Sequence, residues 1–532
     1  MKDVDRRPVV VSLTPLPLSA DSRTLKQVTS VHRFGFKSIV IEGAPSRLAD
    51  EAIPFEIISI GARAQPQTST DAAPVASEAV AAPHPEAEEK LAAVVPDPVG
   101  IQDIKSLSIL HRWPIGRLVL RIPGLRRVAR ALQRNLLRAL VSLNGGKQLQ
   151  QRPSIAQIIF ALPYAMILLA REVVGWLPTR ILPAGISQSL RAAAINPLAF
   201  ANYLATYLDQ HVFKVLSVTP RADLYYLHSF YQFPAVFLLC LRYRARMIYD
   251  AHDFYQHQKE DPTVSSYWKK WVIPFEGAIE AACIRFASDV VTVNEGIAAL
   301  MRERFGCEPV ILRNAHDFRL DRQVPRTIRD AIGLAPEAFL VVFIGNYKSG
   351  MTLEGAFDAL VSLPKHVHLA FLGGRYPDCN DALATRGLEG RVHFVPPVLP
   401  QEIVPVAASA DVAVLLYFKR TIQYPNILPN GFFQSVAAGL PLVYPDLEQI
   451  RRVAERHKLG IMANAQDANE IRSALQLLVE NDEVRETFRE NVRVSRQELC
   501  WAYEERTLEP LLNRHLSKSA PNVSRIEDKV AH

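Results

Sequence analysis

Cysteine is scarce in this chain: five in 532 residues (Cys240, Cys283, Cys307, Cys379 and Cys500), with no Cys-x-x-Cys and no Cys/His cluster. That excludes a disulfide framework and a structural zinc site as organising devices. A membrane-length apolar run is missing from the most hydrophobic part of the chain. The uncharged stretch 155–170 is sixteen residues long, is interrupted by Pro163 and ends at Arg171 and Glu172. A spanning helix needs about 20 apolar residues. The opening MKDVDRRPVVVSL carries Asp3 and Asp5 and lacks the apolar centre of a signal peptide, so the cytosol is the expected compartment. The pattern Asp-x-Asp occurs only as Asp3-Val4-Asp5.

Acidic residues are almost absent from one region. Between 104 and 208 there are fourteen lysines and arginines against a single acid, Glu172, so the net charge of +7 comes from this segment and the remainder is net acidic. Within it, 125–143 (LRRVARALQRNLLRALVSL) reads as an amphipathic helix. Arg126, Arg130, Arg134 and Arg138 share one face, and Leu125, Val128, Leu132, Leu136 and Leu140 share the other. Cations interleaved with aliphatics fit an anionic membrane surface. Nucleic acid is not expected as a partner, because the charges alternate with Leu, Ile, Val and Trp113 and not with stacking aromatics set in a groove.

What the chain does have is α/β alternation. Residues 8–13, 37–41 and 55–60 read as buried strands, with a helix at 22–34 between the first two. The pattern stops at 62–103, where six prolines and many alanines make a linker. It resumes with strands at 223–228, 246–250, 290–294 and 310–314 and helices near 233–243 and 296–305. A polar hinge is expected at 325–338. A second set of strands follows at 339–344, 367–372, 391–395, 411–416 and 440–444, then helices at 467–480 and 482–501 and a frayed tail at 518–532. The predicted fold class is α/β, with two Rossmann-like domains facing a cleft. The first comprises 1–61 and 216–324, split by the 62–103 linker and a basic helical insertion at 104–215. The second is 325–500, and a closing helix and tail occupy 501–532.

Several segments, in order, resemble the family 4 glycosyltransferases of the two-lobed GT-B type. They are DSRTLKQVTSVHRFGFKSIVIEG (21–43), Leu227-His228-Ser229 at a strand end, DAHD (250–253), the 289–294 strand with Arg313-Asn314-Ala315, PNGFFQSVAAGLP (429–441) and SRQELCWAYEERTLEPLL near the end. The DAHD segment is similar to an Asp-Ser/Ala-His-Glu motif of one branch. The resemblance covers 9–60 and 222–512. The chain departs from the family at Gln434 and Asn426, where glutamates are usual, and at Gly431, where lysine is.

The resemblance implies transfer of a sugar from a nucleotide sugar to a membrane-associated acceptor, a lipid-linked saccharide, in surface polysaccharide or glycolipid synthesis. His252 and Asp253 are the expected catalytic residues, since a histidine flanked by carboxylates can act near neutral pH. The donor is expected at Gly345 and Lys348, in the Gly-x4-Gly loop after the 339–344 strand, and at Arg313, Asn430 and Gln434. Asn430 also reads as an N-cap. The acceptor is expected at Asp21, Arg23 and His228. No cofactor and no metal are expected, because no Asp-x-Asp falls in the site. The implied location is peripheral, on the inner face of the cell membrane, held there through 104–208. Two alternatives stand beside this reading: a non-catalytic sugar-nucleotide-binding or scaffold subunit, suggested by Gln434, Asn426 and Gly431, and a sugar-nucleotide epimerase on the same fold.

Overall fold

A computed structural model describes residues 7–46, 53–60, 134–136, 138–139, 165, 188–348 and 350–516. The linker at 62–103, the greater part of the amphipathic 125–143 segment, the apolar 155–170 run (Ala165 apart) and the 518–532 tail lie outside the described residues. Among the described residues no helix is long and apolar enough to cross a membrane.

The first lobe is built on β1 (Val9–Thr14), α1 (Ser22–Arg33), β2 (Lys37–Glu42) and β3 (Glu56–Ser59). The described end of the insertion is α2 (Gln188–Tyr207), and after it come β4 (Leu224–Leu227), α3 (Phe233–Tyr243), β5 (Arg246–Ala251), α4 (Ile273–Phe286), β6 (Asp289–Thr292), α5 (Glu295–Phe305) and β7 (Val310–Ile311). The sheet has seven strands in the order β3-β2-β1-β4-β5-β6-β7, with every pairing parallel. All six residues of β1 are buried, as a central parallel strand covered on both faces requires. Strand order reverses between β1 and β4, so the crevice opens where Thr14 and Leu227 end their strands.

The second lobe repeats the scheme with β8 (Phe339–Ile344), α6 (Glu354–Val361), β9 (Val367–Leu372), β10 (Val392–Val395), β11 (Val412–Val414), α7 (Asn430–Ala438), β12 (Leu442–Tyr444) and β13 (Gly460–Met462). Its six parallel strands run β10-β9-β8-β11-β12-β13, with the reversal between β8 and β11. Its core is one continuous cluster around Phe343, Phe357, Phe371, Phe432 and Phe433.

Four features differ from the sequence expectation. The 325–338 segment is not only a hinge: it holds a short helix, Ile328–Ile332, started by a Thr327/Asp330 capping box. The expected 310–314 strand is paired only at Val310–Ile311, and its last residues turn toward the other lobe. Strand β13 was not foreseen, since three residues carry too little periodicity to read. The expected 482–501 helix ends at Ser495, and a new helix, α8 (Trp501–Leu516), starts after a break. Helix α8 packs on the first lobe: Trp501, Leu508, Leu511, Leu512 and Leu516 share a core with Val10, Val31, Leu224, Ile248 and Val291. The Trp501 indole N–H donates to Ser30 Oγ at 2.8 Å.

Candidate active site

The first half of the site hangs on Asp250, fully buried near the end of β5. Arg23, in the first turn of α1, lays its fork on this carboxylate, Nε to Oδ2 at 2.9 Å and Nη2 to Oδ1 at 2.7 Å. Its third nitrogen donates to the Leu312 carbonyl at 2.6 Å. Gln27, one helical turn later on the same face, adds Nε2 to Oδ2 at 2.6 Å. Two imidazoles approach the same oxygen: His228 Nδ1 at 3.4 Å and His252 Nε2 at 3.3 Å. Neither has hydrogen-bond alignment, and both nitrogens are buried without a hydrogen-bond partner among the described residues. His228 is closed off, whereas the His252 side chain keeps 20% of its surface.

Asp21 sits between strand and helix. It caps α1 by accepting from the Thr24 N–H at 3.0 Å, and its Oδ2 takes the hydroxyls of Thr24 at 2.6 Å and Thr14 at 3.0 Å.

Burial and charge act in opposite directions here. Burial works against the charged form of His252, but Asp250 and Asp21 prevail and raise its pKa. Burial dominates at His228 and lowers its pKa. Burial would raise Asp250, yet Arg23 and the histidines hold it well below the usual carboxylate range. Asp21 is lowered as well, against its burial, by His252 and His228. His228, Asp250 and His252 present donor atoms within 4.8 Å of one another, a spacing a metal ion could span. The donor set does not suit one. Both Asp250 oxygens are already engaged by a buried guanidinium, which would face the incoming cation.

The second half of the site forms where three backbones meet at the end of β8. A Cβ on Gly431 would lie 2.3 Å from the Ile344 carbonyl oxygen, and one on Gly373 would lie 2.1 Å from that of Gly345. Gly345 and Gly373 have φ of 145° and 152°, open to glycine and strained for other residues. Helix α7 therefore begins in direct contact with β8. Pro429, not Asn430, is its N-cap, and no side chain caps it. Asn430 instead accepts from Asn314 Nδ2 across the lobes at 2.5 Å.

A narrow cavity of about 30 Å³ between the lobes is lined by Lys26, Asn314, Gln401, Asn430 and Gln434, among others. Gln401 is buried there with Oε1 unpartnered among the described residues. Lys26 donates from Nζ to Asn314 Oδ1 and the Ala315 carbonyl, both at 2.6 Å. Burial and the Arg23 charge push its pKa down to about 7.

The lobes are latched by the segment after β11. Gln423 donates from Nε2 to Asp253 Oδ1 at 2.9 Å and accepts the Phe254 N–H at 3.1 Å. Asn294 Nδ2 donates to the Asn426 carbonyl at 2.9 Å, and Arg420 pairs with Asp261 at 3.1 Å.

The structure brings His252, Asp21 and His228 around Asp250, and Asn430 and Gln434 onto the interlobe cavity. Arg23 is placed differently from the sequence expectation: it is buried, with all three guanidinium nitrogens engaged by Asp250 and the Leu312 carbonyl. Arg313 is also placed elsewhere. Its Nη2 binds Glu295 at 2.7 Å and its backbone N–H binds the buried Glu504 at 2.9 Å, so it ties α5 to α8. In the loop after β8, the Gly345 and Tyr347 amides are spent on the Leu372 and Gly374 carbonyls, which takes them away from a phosphate role; Lys348 lies in that loop. Sequence reasoning missed Gln27, Lys26, Gln423 and Gln401. Only the i, i+4 spacing of Arg23 and Gln27 could have flagged one of them.

Two doubly wound lobes, each with its switch point facing the other, define the GT-B fold class. Residues 338–481, the greater part of the second lobe, match the family model described as Glycosyl transferases group 1. The chain is similar in fold to Anabaena Alr3699/HepE in complex with UDP and glucose, at 13% identity and TM-score 0.52, over 96% of this chain and 100% of that one. The same protein in complex with UDP-glucose aligns at 13% identity and TM-score 0.52 over 95% and 100%. Sucrose-phosphate synthase from Thermosynechococcus elongatus aligns less well, at 16% identity and TM-score 0.46 over 63% and 82%. No curated protein matches by sequence.

Proposed function

We propose that this protein is a metal-independent glycosyltransferase. It takes a sugar from a nucleotide-sugar donor bound against the second lobe and passes it to a membrane-associated acceptor, a lipid-linked saccharide of a surface polysaccharide or glycolipid. The observation that carries the reading is the start of α7, pressed against the end of β8 with no side chain capping it and with Asn430 and Gln434 in its first turns. A helix N-terminus offers N–H groups and positive potential to a diphosphate. UDP-glucose, present in the HepE complex, is the first donor to test.

His252 is the group we assign to the reacting sugars. Its raised pKa favours the protonated imidazolium, which can hydrogen-bond a developing oxyanion. Asp250, itself fixed by Arg23 and Gln27, lies 3.3 Å from His252 Nε2. Asp253 is the carboxylate assigned to the acceptor hydroxyl, with Oδ1 held by Gln423. The charge of Asp250 is spent on Arg23, which supports a reaction without a bound cation. Closure of the lobes excludes the water that would hydrolyse the donor. Peripheral association at the inner membrane face, through 104–208, completes the proposal.

Incubation with labelled nucleotide sugars and a membrane lipid extract tests it. Label in the lipid fraction supports transfer. Donor binding without turnover supports the second reading, a non-catalytic sugar-nucleotide-binding subunit, which the amide lining of the cavity by Asn314, Gln401, Asn430 and Gln434 favours.

A further inference from the structure

The outer flank of the first lobe has an unusual surface. Helices α3 and α4 pack side by side, with the Phe237 ring 4.8 Å from that of Phe286 and the Phe233 ring 6.2 Å from it. The solvent side of α4 and the short π-helical segment before it (Trp268–Val272) is the series Lys270, Pro274, Ala278, Ala281 and Arg285, all exposed and spaced by three or four residues. Beside it Phe286 is 46% exposed, and Leu238 and Leu241 of α3 are 48% and 56% exposed. Arg242 and Arg244 follow at the end of α3, both exposed.

A solvent-facing helix normally carries charges of both signs. Here the two acids of α4 are turned inward. Glu276 is buried under the hydroxyls of Tyr203, at 2.6 Å, and Tyr231, at 3.1 Å. Glu280 is buried under the hydroxyl of Tyr249 at 3.2 Å. What remains outside is aliphatic and aromatic surface bordered by cations.

We propose that this α3–α4 flank docks on an anionic lipid bilayer. Leu238, Leu241 and Phe286 would enter the interface, and Arg242, Arg244, Arg285 and Lys270 would meet lipid phosphates. Charge complementarity selects this occupant. Two copies of the flank face to face would set arginine against arginine, and a nucleic acid would use the arginines but leave the leucines in water. The inference deepens the membrane association proposed above and uses none of the residues assigned to the cleft.

The test is co-sedimentation of the full chain with phosphatidylcholine vesicles, with and without phosphatidylglycerol. It compares the parent, Leu238→Ser/Leu241→Ser and Arg242→Glu/Arg244→Glu. Thermal unfolding confirms that each variant folds, and hydrogen exchange reads α3 and α4. The expected result is binding that requires phosphatidylglycerol, drops by about tenfold or more in each double variant, and protects α3 and α4. Parent-like binding by both variants overturns the flank's role while leaving membrane association standing. No binding by the parent overturns both. A concentration-dependent dimer abolished by Leu238→Ser/Leu241→Ser would assign the flank to self-association and equally overturn the proposal.

Discussion

Arg23 and Asp250 lie 227 positions apart in sequence and meet as a two-point ion pair with neither side chain more than 2% exposed. Removing one partner of such a pair leaves a bare buried charge. Arg23→Leu is expected to destabilise the first lobe by about 3–5 kcal/mol, and Asp250→Asn by a similar amount. Denaturant unfolding measures this; a loss under about 1 kcal/mol would show that water replaces the missing partner.

His252→Ala is expected to lower transfer by about 10²–10⁴-fold with donor binding retained. The sign with pH follows from the raised pKa. The imidazolium contributes fully to folding below the ordinary value of 6.5, and that contribution fades as pH climbs through the raised folded value. The stability gap between parent and variant should therefore be widest in mild acid and close in alkali. A gap that widens with pH contradicts the assignment.

Glu280 provides the opposite case. Burial lifts its pKa from 4.5 to about 7. A carboxyl raised on folding contributes most below its unfolded value, and that contribution is lost as pH rises from there through the folded value. Glu280→Gln should flatten the decline between those limits and stabilise the protein at alkaline pH, on the order of 3 kcal/mol at most. Melting curves across the range decide it.

Gln423→Ala removes two bonds that cross between lobes. At about 0.5–1.5 kcal/mol each, the closed arrangement should weaken, with a larger radius of gyration in X-ray scattering and a higher KM for the donor. An unchanged scattering profile would mean that the Asn294–Asn426 and Arg420–Asp261 contacts suffice.

Gly431→Ala places a methyl where the Ile344 carbonyl stands. Strain of about 1–3 kcal/mol is expected, together with weaker nucleotide binding as α7 is displaced. Calorimetry on the folded variant separates the two effects.

The fold was largely legible because its signal is repetitive. Uninterrupted runs such as VVVSLT and FLVVFI can be central parallel strands, and they fall on β1 and β8. The short strands were harder to read. At β7 and β13 two or three residues pair, and neighbouring strands, not local pattern, decide where pairing stops. In the site, DAHD marked a strand end beside a crevice. It could not show that Asp250 points back to Arg23, because that contact depends on β1, β4 and β5 lying side by side. Gly431 shows the same limit from the other side. In the sequence it is a missing lysine, whereas in space it is the only kind of residue that lets α7 touch β8.

The chain passes between its lobes twice, at nearly the same point. His316 and Cys500 pair as a parallel bridge, and the Trp501 N–H donates to the His316 carbonyl at 2.8 Å. Residues 501–516 then finish a core begun by Val10. The core of the amino-terminal lobe is therefore complete only once residues 501–516 have been made. The carboxy-terminal lobe, all of whose strands precede that crossing, can close first. The structure thus makes the amino-terminal lobe's finished core depend on chain that follows the whole of the other lobe, unlike the usual vectorial sequence in which a domain is complete once its own segment has emerged.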